Sequence, residues 1–309
     1  MAPGRKKTRL VLLCVVGRVR DLLGVLDLLD AAATYLTSAT LVLVDNTGSD
    51  IAWRFLRGLA RWQRQLVVLR NTEFRPPLDG VKEEVRGRRD AQWFQYVRGT
   101  VTWSLLKGMR YAVEHLDFDA LLKLDPDSLI VGPGLDGDIC DYLEAHPEVG
   151  QLGSYKLDCN GKSRAREFEC FPEEFARDRL SWNEVLRPLQ TTRADFMPGE
   201  HAQGGGVAYS RPLVEALLAG RPFPPERLRD SLIFEDIVFS TLCLHLGFEI
   251  HGFADPGQPL AVGARAGLPM SIRRTRRARK KLVHPLKVSP SGLARRAGFA
   301  AWRLADRLR

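Results

Sequence analysis

The chain has 309 residues, of which 45% are hydrophobic and 27% charged, as in an ordinary globular protein with one large domain or two closely packed ones. Its five cysteines are scattered and include no Cys-x-x-Cys pair, which argues against a disulfide framework and against a zinc cluster. The net charge of +9 suits an anionic partner, and much of the excess follows residue 271.

The apolar run at residues 10–16 follows three basic residues, as in the start of a signal peptide. The run is short, arginines follow it, and it has no small-residue cleavage site, so we interpret it as a buried first strand. No stretch is long enough to span a bilayer, and we expect a cytoplasmic enzyme.

Strand-like and helix-like patterns alternate in the first 124 residues and predict βαβ units. Strands are predicted at residues 10–16, 40–44, 65–69 and 120–124, and helices at 21–36, 51–64 and 93–116. The charged, proline-containing segment 74–90 is predicted to be a mobile loop. The fold class is therefore α/β, with a mostly parallel central sheet flanked by helices.

The patterns after residue 130 are weaker. They predict helices at 136–148, 211–219, 234–246 and 293–308, and strands at 150–155, 204–209 and 248–253. Residues 160–193 are polar and give no clear prediction.

Two carboxylates follow the fourth predicted strand, in the sequence Lys123-Leu124-Asp125-Pro126-Asp127. Residues i and i+2 of a strand point the same way, so Asp125 and Asp127 address one point at the carboxyl end of the strand, where α/β sheets bind ligands. Two hard oxygen donors suit Mg²⁺ or Mn²⁺ holding a diphosphate. An acidic turn without a ligand is the simpler interpretation, because Asp and Pro also form turns.

Two other motifs lie beside predicted strands, an aspartate at the end of one and three glycines at the start of another. Asp45 ends the second predicted strand and is a candidate for binding a base or ribose, although the turn after it also offers a helix N-cap. The glycines Gly204, Gly205 and Gly206 permit a ligand to approach the backbone closely, or serve a tight turn. The nearby His201 is expected at the surface rather than at a ligand.

Glu235 and Asp236 begin an otherwise apolar helix, where carboxylates complement the helix dipole. In a functional interpretation, one of them accepts a proton from a hydroxyl. His284 follows a dense basic run and is a candidate third donor beside two aspartates.

Taken together, these motifs resemble the GT-A glycosyltransferases, in the order Asp45, Lys107, Asp125-x-Asp127, Gly204-Gly205-Gly206, Glu235-Asp236 and His284. Residues 102–253 are most similar to the inverting β-1,3-galactosyl- and N-acetylglucosaminyltransferases, and residues 44–50 to the bacterial family 2 transferases. The resemblance implies a GT-A fold, which is a Rossmann-like nucleotide-sugar-binding fold. It also implies transfer of a sugar from a nucleoside diphosphate sugar, with UDP favoured over GDP and dTDP, to a hydroxyl of a glycan, a lipid-linked molecule or a small molecule.

The resemblance also implies residue roles on the donor side. Asp125, Asp127 and His284 would bind Mn²⁺ or Mg²⁺ on the diphosphate. Asp45 would bind the base or ribose, and Lys107 would add positive charge at the donor.

On the acceptor side, the three glycines would line the sugar or acceptor pocket. Asp236 would be the general base, Glu235 would position substrate, and direct displacement would invert the anomeric carbon.

We expect residues 1–272 to form the GT-A domain and 273–309 a basic tail that carries His284 and an amphipathic helix. The apolar positions of that helix are Leu293, Ala297, Ala300, Leu304 and Leu308. Such a tail is either solvated or rests on an anionic membrane, at the inner face of which the enzyme would be peripheral.

Two alternatives compete with this interpretation. A nucleotidyltransferase would need a glycine-rich phosphate loop after the first strand, where the chain offers only Gly17. A non-catalytic basic α/β scaffold would bind membrane or nucleic acid through its tail, and Asp125, Asp127 and Asp236 would then be dispensable. No nucleic-acid partner is expected, because no basic surface interleaved with aromatics is evident.

Overall fold

The structure is a computed structural model that describes residues 6–73, 91–169, 171–263, 267–287 and 289–308. The strands are β1 (Lys6–Lys7), β2 (Leu10–Val16), β3 (Ala39–Asp45), β4 (Leu66–Arg70), β5 (Leu116–Asp117), β6 (Ala120–Leu124), β7 (Leu129–Ile130), β8 (Val149–Gly153), β9 (Gly206–Ser210), β10 (Glu249–Gly252), β11 (Leu260–Val262) and β12 (Leu282–His284). The helices are α1 (Leu22–Tyr35), α2 (Asp50–Trp62), α3 (Ala91–His115), α4 (Leu135–Ala145), α5 (Ala165–Phe168), α6 (Pro172–Arg177), α7 (Asn183–Thr192), α8 (Arg211–Leu218), α9 (Pro225–Leu228), α10 (Glu235–His245), α11 (Ile272–Arg277) and α12 (Pro290–Arg307).

The predicted strands and helices are present, with ends that differ by a few residues, as expected for boundaries read from periodicity. The sequence did not predict α5, α6 and α7, because the polar stretch that contains them has little apolar periodicity. The loop predicted for residues 74–90 lies outside the described residues. The four described cysteines are buried free thiols.

The central sheet has the strand order β10-β8-β9-β6-β2-β3-β4. Neighbouring strands are parallel except at β9, which runs antiparallel to β6 and to β8. β2 is buried along its whole length, as expected for a strand covered on both faces. These observations confirm the α/β class with a mostly parallel sheet.

Helices cover both faces of this sheet. Apolar side chains of α1, α2, α4 and α12 pack in one core cluster, and those of α3, α8 and α10 pack in the other. Local signals set where the helices begin. Ser49 caps α2 by accepting a hydrogen bond from the amide of Ala52 at 3.3 Å, and Ser289 caps α12 in the same way.

A second sheet, with the order β11-β12-β7, lies against the first. β7 follows the turn that contains Asp125 and Asp127, and β12 runs antiparallel to it, with Val283 opposite Leu129. The pairing therefore carries His284, the last residue of β12, to the carboxyl end of β6.

The predicted basic tail packs against the rest of the molecule. Phe299 of α12 is buried in the core cluster, and Arg296 donates to Asp27 of α1 at 2.8 Å. Arg303 pairs with Asp30 at 2.9 Å and also with Asp27. The face of α12 that turns inward therefore includes two buried arginines, while the predicted apolar positions lie outward.

None of the helices among the described residues has the length and apolar character needed to cross a bilayer.

Candidate active site

A cleft of about 720 Å³ opens at the carboxyl ends of β2, β3 and β6. The side chains that line it and carry charge or a polar group are Arg18, Arg20, Asp21, Asn46, Thr47, Thr100, Lys123, Asp125, Asp127, Gln203, Glu235, Asp236, His284 and Lys287. The topology brings these residues together from all parts of the chain. This is the sheet edge at which the sequence predicted a ligand.

The turn after β6 holds the two predicted carboxylates. The amide of Ser128 donates to the carbonyl of Asp125 at 2.9 Å, and the Ser128 hydroxyl accepts from the amide of Asp125 at 3.1 Å and donates to the carbonyl of Gly205. The amide of Leu286 donates to the carbonyl of Asp127 at 2.7 Å, which ties the turn to the segment after β12.

The His284 ring lies between both carboxylates. Its Nε2 atom is 3.3 Å from Oδ2 of Asp125 and 3.2 Å from Oδ1 of Asp127. One ligand atom from each of the three residues lies within 4.8 Å of the others. Both ring nitrogens are buried, and neither makes a well-directed hydrogen bond to the described residues. A buried imidazole without such a partner, beside two carboxylates, is a donor set that fits a divalent cation.

Charge at this site shifts the pKa values. Burial alone would raise the pKa of Asp125, but the positive charge of Lys123 and contact with His284 outweigh burial, so the pKa is lowered. The pKa of Asp127 is lowered for a similar reason, through His284 and Lys287. Burial alone would lower the pKa of His284, but the two carboxylates outweigh it, and its pKa is raised. A metal ion would therefore compete with a proton for this ring.

Lys123 connects the two acidic groups of the cleft. Only 3% of its side chain is exposed, and its Nζ atom lies 2.8 Å from Oδ1 of Asp125 and 3.0 Å from Oε1 of Glu235. Burial raises the pKa of Glu235, and Lys123 opposes that shift. Lys123 was not predicted to be a site residue, although a lysine within a buried apolar strand needs partners for its charge.

Asp236 lies at the amino end of α10 with hydrogen bonds to backbone amides. Its Oδ2 accepts from the amide of Gly204 at 3.1 Å, and its Oδ1 accepts from the amide of Ile237 at 3.0 Å. The Nε2 atom of His201 is 3.8 Å away. Asp236 is therefore a carboxylate held in place by the loop before β9, with access to the cleft.

The prediction that His201 lies at the surface was wrong, since the side chain is buried. Its Nδ1 atom is 2.8 Å from the carbonyl of Gly199, so Nδ1 carries the hydrogen, and Nε2 accepts from Arg164 at 3.1 Å. Arg164 also donates to Oε1 of Gln203 at 2.9 Å. Neither residue could be found by motif, because their partners are mainly backbone carbonyls of a loop.

The three glycines have different surroundings. Gly204 lines the cleft. Gly205 has a φ of +91°, and a Cβ atom there would lie 2.5 Å from ring carbons of His284. A Cβ atom on Gly206 would lie 2.6 Å from Leu282, beneath the cleft. Two of the three glycines thus allow close packing of β12 rather than lining a sugar pocket, because the second sheet crosses directly over them.

Asp45 is buried at the end of β3 and does not line the cleft. Its Oδ1 accepts from the amide and hydroxyl of Thr47, at 3.0 and 2.7 Å. Thr47 and Asn46 do line the cleft. Asp45 therefore fixes the loop that faces a ligand, and its neighbours are better placed to touch that ligand.

Lys107 lies on α3, outside the residues that line the cleft, with its Nζ atom 3.5 Å from Glu73. The cationic side chains that line the cleft are instead Arg18 and Arg20 after β2, the buried Lys123, and Lys287, whose Nζ atom is 2.6 Å from Oδ2 of Asp127. A signal for the two arginines was present, because they follow a buried strand at its carboxyl end.

No protein-family model matches this sequence, and no curated protein matches it. Among solved structures, the chain is similar to residues 1–349 of TarS from S. aureus, with 14% identity and a TM-score of 0.43, covering 80% of this chain and 58% of that one. It is also similar to mouse xyloside xylosyltransferase 1 in its apo form, with 11% identity and a TM-score of 0.46, covering 84% of this chain and 88% of that one. Likeness at this level assigns no activity to this chain.

Proposed function

We propose that this protein is a metal-dependent GT-A glycosyltransferase that moves a sugar from a nucleoside diphosphate sugar to a hydroxyl acceptor. One observation carries the proposal. The Asp125, Asp127 and His284 cluster and the Asp236 carboxylate open into one cleft, whose wall also carries cationic side chains. A diphosphate needs cations, and an acceptor hydroxyl needs a base, and this cleft supplies residues for both.

The donor would lie against the basic and metal-binding part of the cleft. Mn²⁺ or Mg²⁺, held by the two aspartates and His284, would offset the charge that develops on the leaving nucleoside diphosphate. Arg18, Arg20 and Lys287 would contact the phosphate oxygens, since they are exposed cationic side chains that line the cleft, whereas Lys123 is buried. Asn46 and Thr47 would contact the nucleoside, for which we favour uridine, and Asp45 holds Thr47 in place.

The acceptor would lie beside Asp236. Its hydroxyl would donate its proton to this carboxylate while the oxygen attacks the anomeric carbon from the face opposite the diphosphate, which inverts the configuration. The amide of Gly204 orients Asp236 for this task. Lys123 holds Glu235 beside it, so Glu235 would act through position and charge rather than as the base.

The acceptor hydroxyl would belong to a glycan, a lipid-linked molecule or a small molecule. The predicted anionic membrane partner would favour the lipid-linked acceptor, because a lipid-linked hydroxyl is presented at a bilayer surface.

The test is release of nucleoside diphosphate from a panel of nucleotide sugars, with Mn²⁺ or with EDTA. We expect slow hydrolysis of one donor, lost in EDTA and in Asp127→Asn. The matched control is Asp195→Asn, an exposed aspartate paired with Lys156. Silence across the panel, with no thermal stabilisation by any nucleotide, would overturn the proposal and favour a non-catalytic basic scaffold.

A further inference from the structure

Helix α2 leaves an apolar stripe exposed. Ile51, Phe55 and Trp62 are 76%, 41% and 87% exposed. At 100° per residue these three side chains fall within about 40° of one another on the helix surface. Isolated exposed apolar residues are common, but an aligned set that includes a tryptophan indicates a contact surface.

Helices α1 and α12 pack in the same core cluster as α2, and they also expose apolar side chains. Leu23 and Leu26 of α1 are exposed, and ion pairs from Asp27 to Arg296 and Arg303 hold α1 against α12. The outward arc of α12 consists of leucine and alanine, all exposed: Leu293, Ala294, Ala297, Ala300, Ala301, Leu304, Ala305 and Leu308. We call the exposed apolar residues of α1, α2 and α12 the three-helix face.

Arginines border the three-helix face on two sides. Arg54 and Arg61 are exposed on α2 beside the stripe, and in the described part of the chain neither has a carboxylate partner. On the other side, α11 packs on α12 with the guanidinium of Arg276 5.0 Å from the centre of the Trp302 ring. Arg273 and Arg277 of α11 are exposed.

We propose that the three-helix face docks on the surface of an anionic lipid bilayer. Leucine, phenylalanine and tryptophan beside exposed arginines are the composition of helices that lie in a membrane interface. A second copy of this chain fits poorly, because a two-fold interface through α2 would place the arginines of both copies close together. An anionic bilayer matches both the apolar residues and the charge.

Docking through this face also places the cleft near the bilayer. Asn46 and Thr47 line the cleft, and the chain passes from them through Ser49 directly into α2. Arg18 and Arg20, which also line the cleft, immediately precede α1. A hydroxyl carried by a membrane lipid would therefore reach the cleft without leaving the surface.

Vesicle co-sedimentation of the full chain tests this inference without any donor or acceptor, so its outcome does not depend on the proposed transfer. We expect binding to vesicles of phosphatidylcholine with phosphatidylglycerol and little binding to phosphatidylcholine alone. Arg54→Glu/Arg61→Glu should weaken binding by about 30-fold or more, since each arginine near an anionic surface contributes roughly a factor of five. The control pair Arg166→Glu/Arg187→Glu changes net charge equally at exposed positions outside the three-helix face and should bind nearly as the wild type does.

Quenching by brominated lipids gives a second readout. Trp62 fluorescence should be quenched on vesicles, and Trp62→Phe should remove that part of the signal. Equal loss of binding in both arginine pairs would show that net charge alone attracts the protein, and would overturn the inference. A wild-type dimer that Phe55→Glu/Trp62→Glu converts to monomer, or tighter binding to RNA that needs Arg54 and Arg61, would overturn it as well.

Discussion

The cleft holds aspartates in two different surroundings, at the Asp125, Asp127 and His284 cluster and at the amino end of α10. Asp125 and Asp127 crowd a histidine whose buried nitrogens make no directed hydrogen bond among the described residues. Asp236 accepts hydrogen bonds from two backbone amides. The first arrangement fits a divalent cation, and the second is a carboxylate fixed by the backbone and open to the cleft. The surroundings of an aspartate, rather than its identity, therefore decide whether it suits the proposed metal site or the proposed general base.

The largest effect is expected from a substitution of Asp236, which tests the proposed base separately from the proposed metal site. Asp236→Asn should reduce the transfer rate by about 10²–10⁴-fold, because an amide cannot accept the proton, while leaving Mn²⁺ and nucleotide binding near wild type. The measurements are product formation under saturating donor and thermal stabilisation by UDP with Mn²⁺. Asp230→Asn, at a half-exposed position outside the cleft, is the control. Substantial transfer by Asp236→Asn would assign the base to another group.

The complementary substitution is His284→Ala. It removes the neutral donor and should weaken Mn²⁺ binding by about 100-fold, because two carboxylates remain without the ring that completes the site. Titration calorimetry with Mn²⁺ measures the affinity directly. His115→Ala, at a half-exposed histidine on α3, should bind as the wild type does. Unchanged affinity in His284→Ala would show that the cation is not bound by the ring.

A smaller effect is expected from Gly205→Ala, which touches no ligand. Its Cβ atom would displace the His284 ring and should weaken Mn²⁺ binding by about tenfold, with a loss of roughly 1–3 kcal/mol of stability. Gly257→Ala is the matched control, since that glycine has a φ of +90° but open space around its Cβ position. The control should lose about 1 kcal/mol and keep its affinity for Mn²⁺. Equal effects of both variants on metal binding would contradict the packing explanation.

The smallest expected effect is a pH dependence of Mn²⁺ binding at the Asp125, Asp127 and His284 cluster. The pKa of His284 is raised above its ordinary value of 6.5, so protonated His284 stabilises the metal-free fold at low pH, and this contribution is lost as pH rises through the raised pKa. Mn²⁺ needs the neutral ring, so its affinity should rise with pH by at most about tenfold per unit and then level off. The Tm difference with and without Mn²⁺, measured across this range, should grow with pH. A flat difference would contradict competition between proton and metal at this ring.

The site residues that come directly after a single strand could be predicted from the sequence. Asp125 and Asp127 share a face because strand periodicity requires it, and the α/β class follows from alternating apolar patterns. His284 could be proposed only as a candidate ligand. β12 is three residues long, and its pairing with β7 cannot be recognised from a local sequence pattern.

Other residues depend on tertiary packing that periodicity does not report. Gly205 and Gly206 are glycines because β12 and its neighbours press against them. Lys107 had the expected residue type in the expected order, yet α3 places it against Glu73. Arg164 and His201 bind loop carbonyls, for which no sequence pattern exists.

The residues of the Asp125, Asp127 and His284 cluster lie far apart in the sequence, and this affects how the protein folds during synthesis. Asp127 and His284 are 157 residues apart (284 minus 127), and between them the chain must still build β8, β9 and β10. β9 joins β8 and β10 to the rest of the sheet, so three of the seven strands cannot take their places until residues 206–210 have been synthesised. Contacts this distant in sequence form late and slowly. If the proposed metal site forms, a growing polypeptide would therefore acquire it only near the end of translation, and early fragments would lack it.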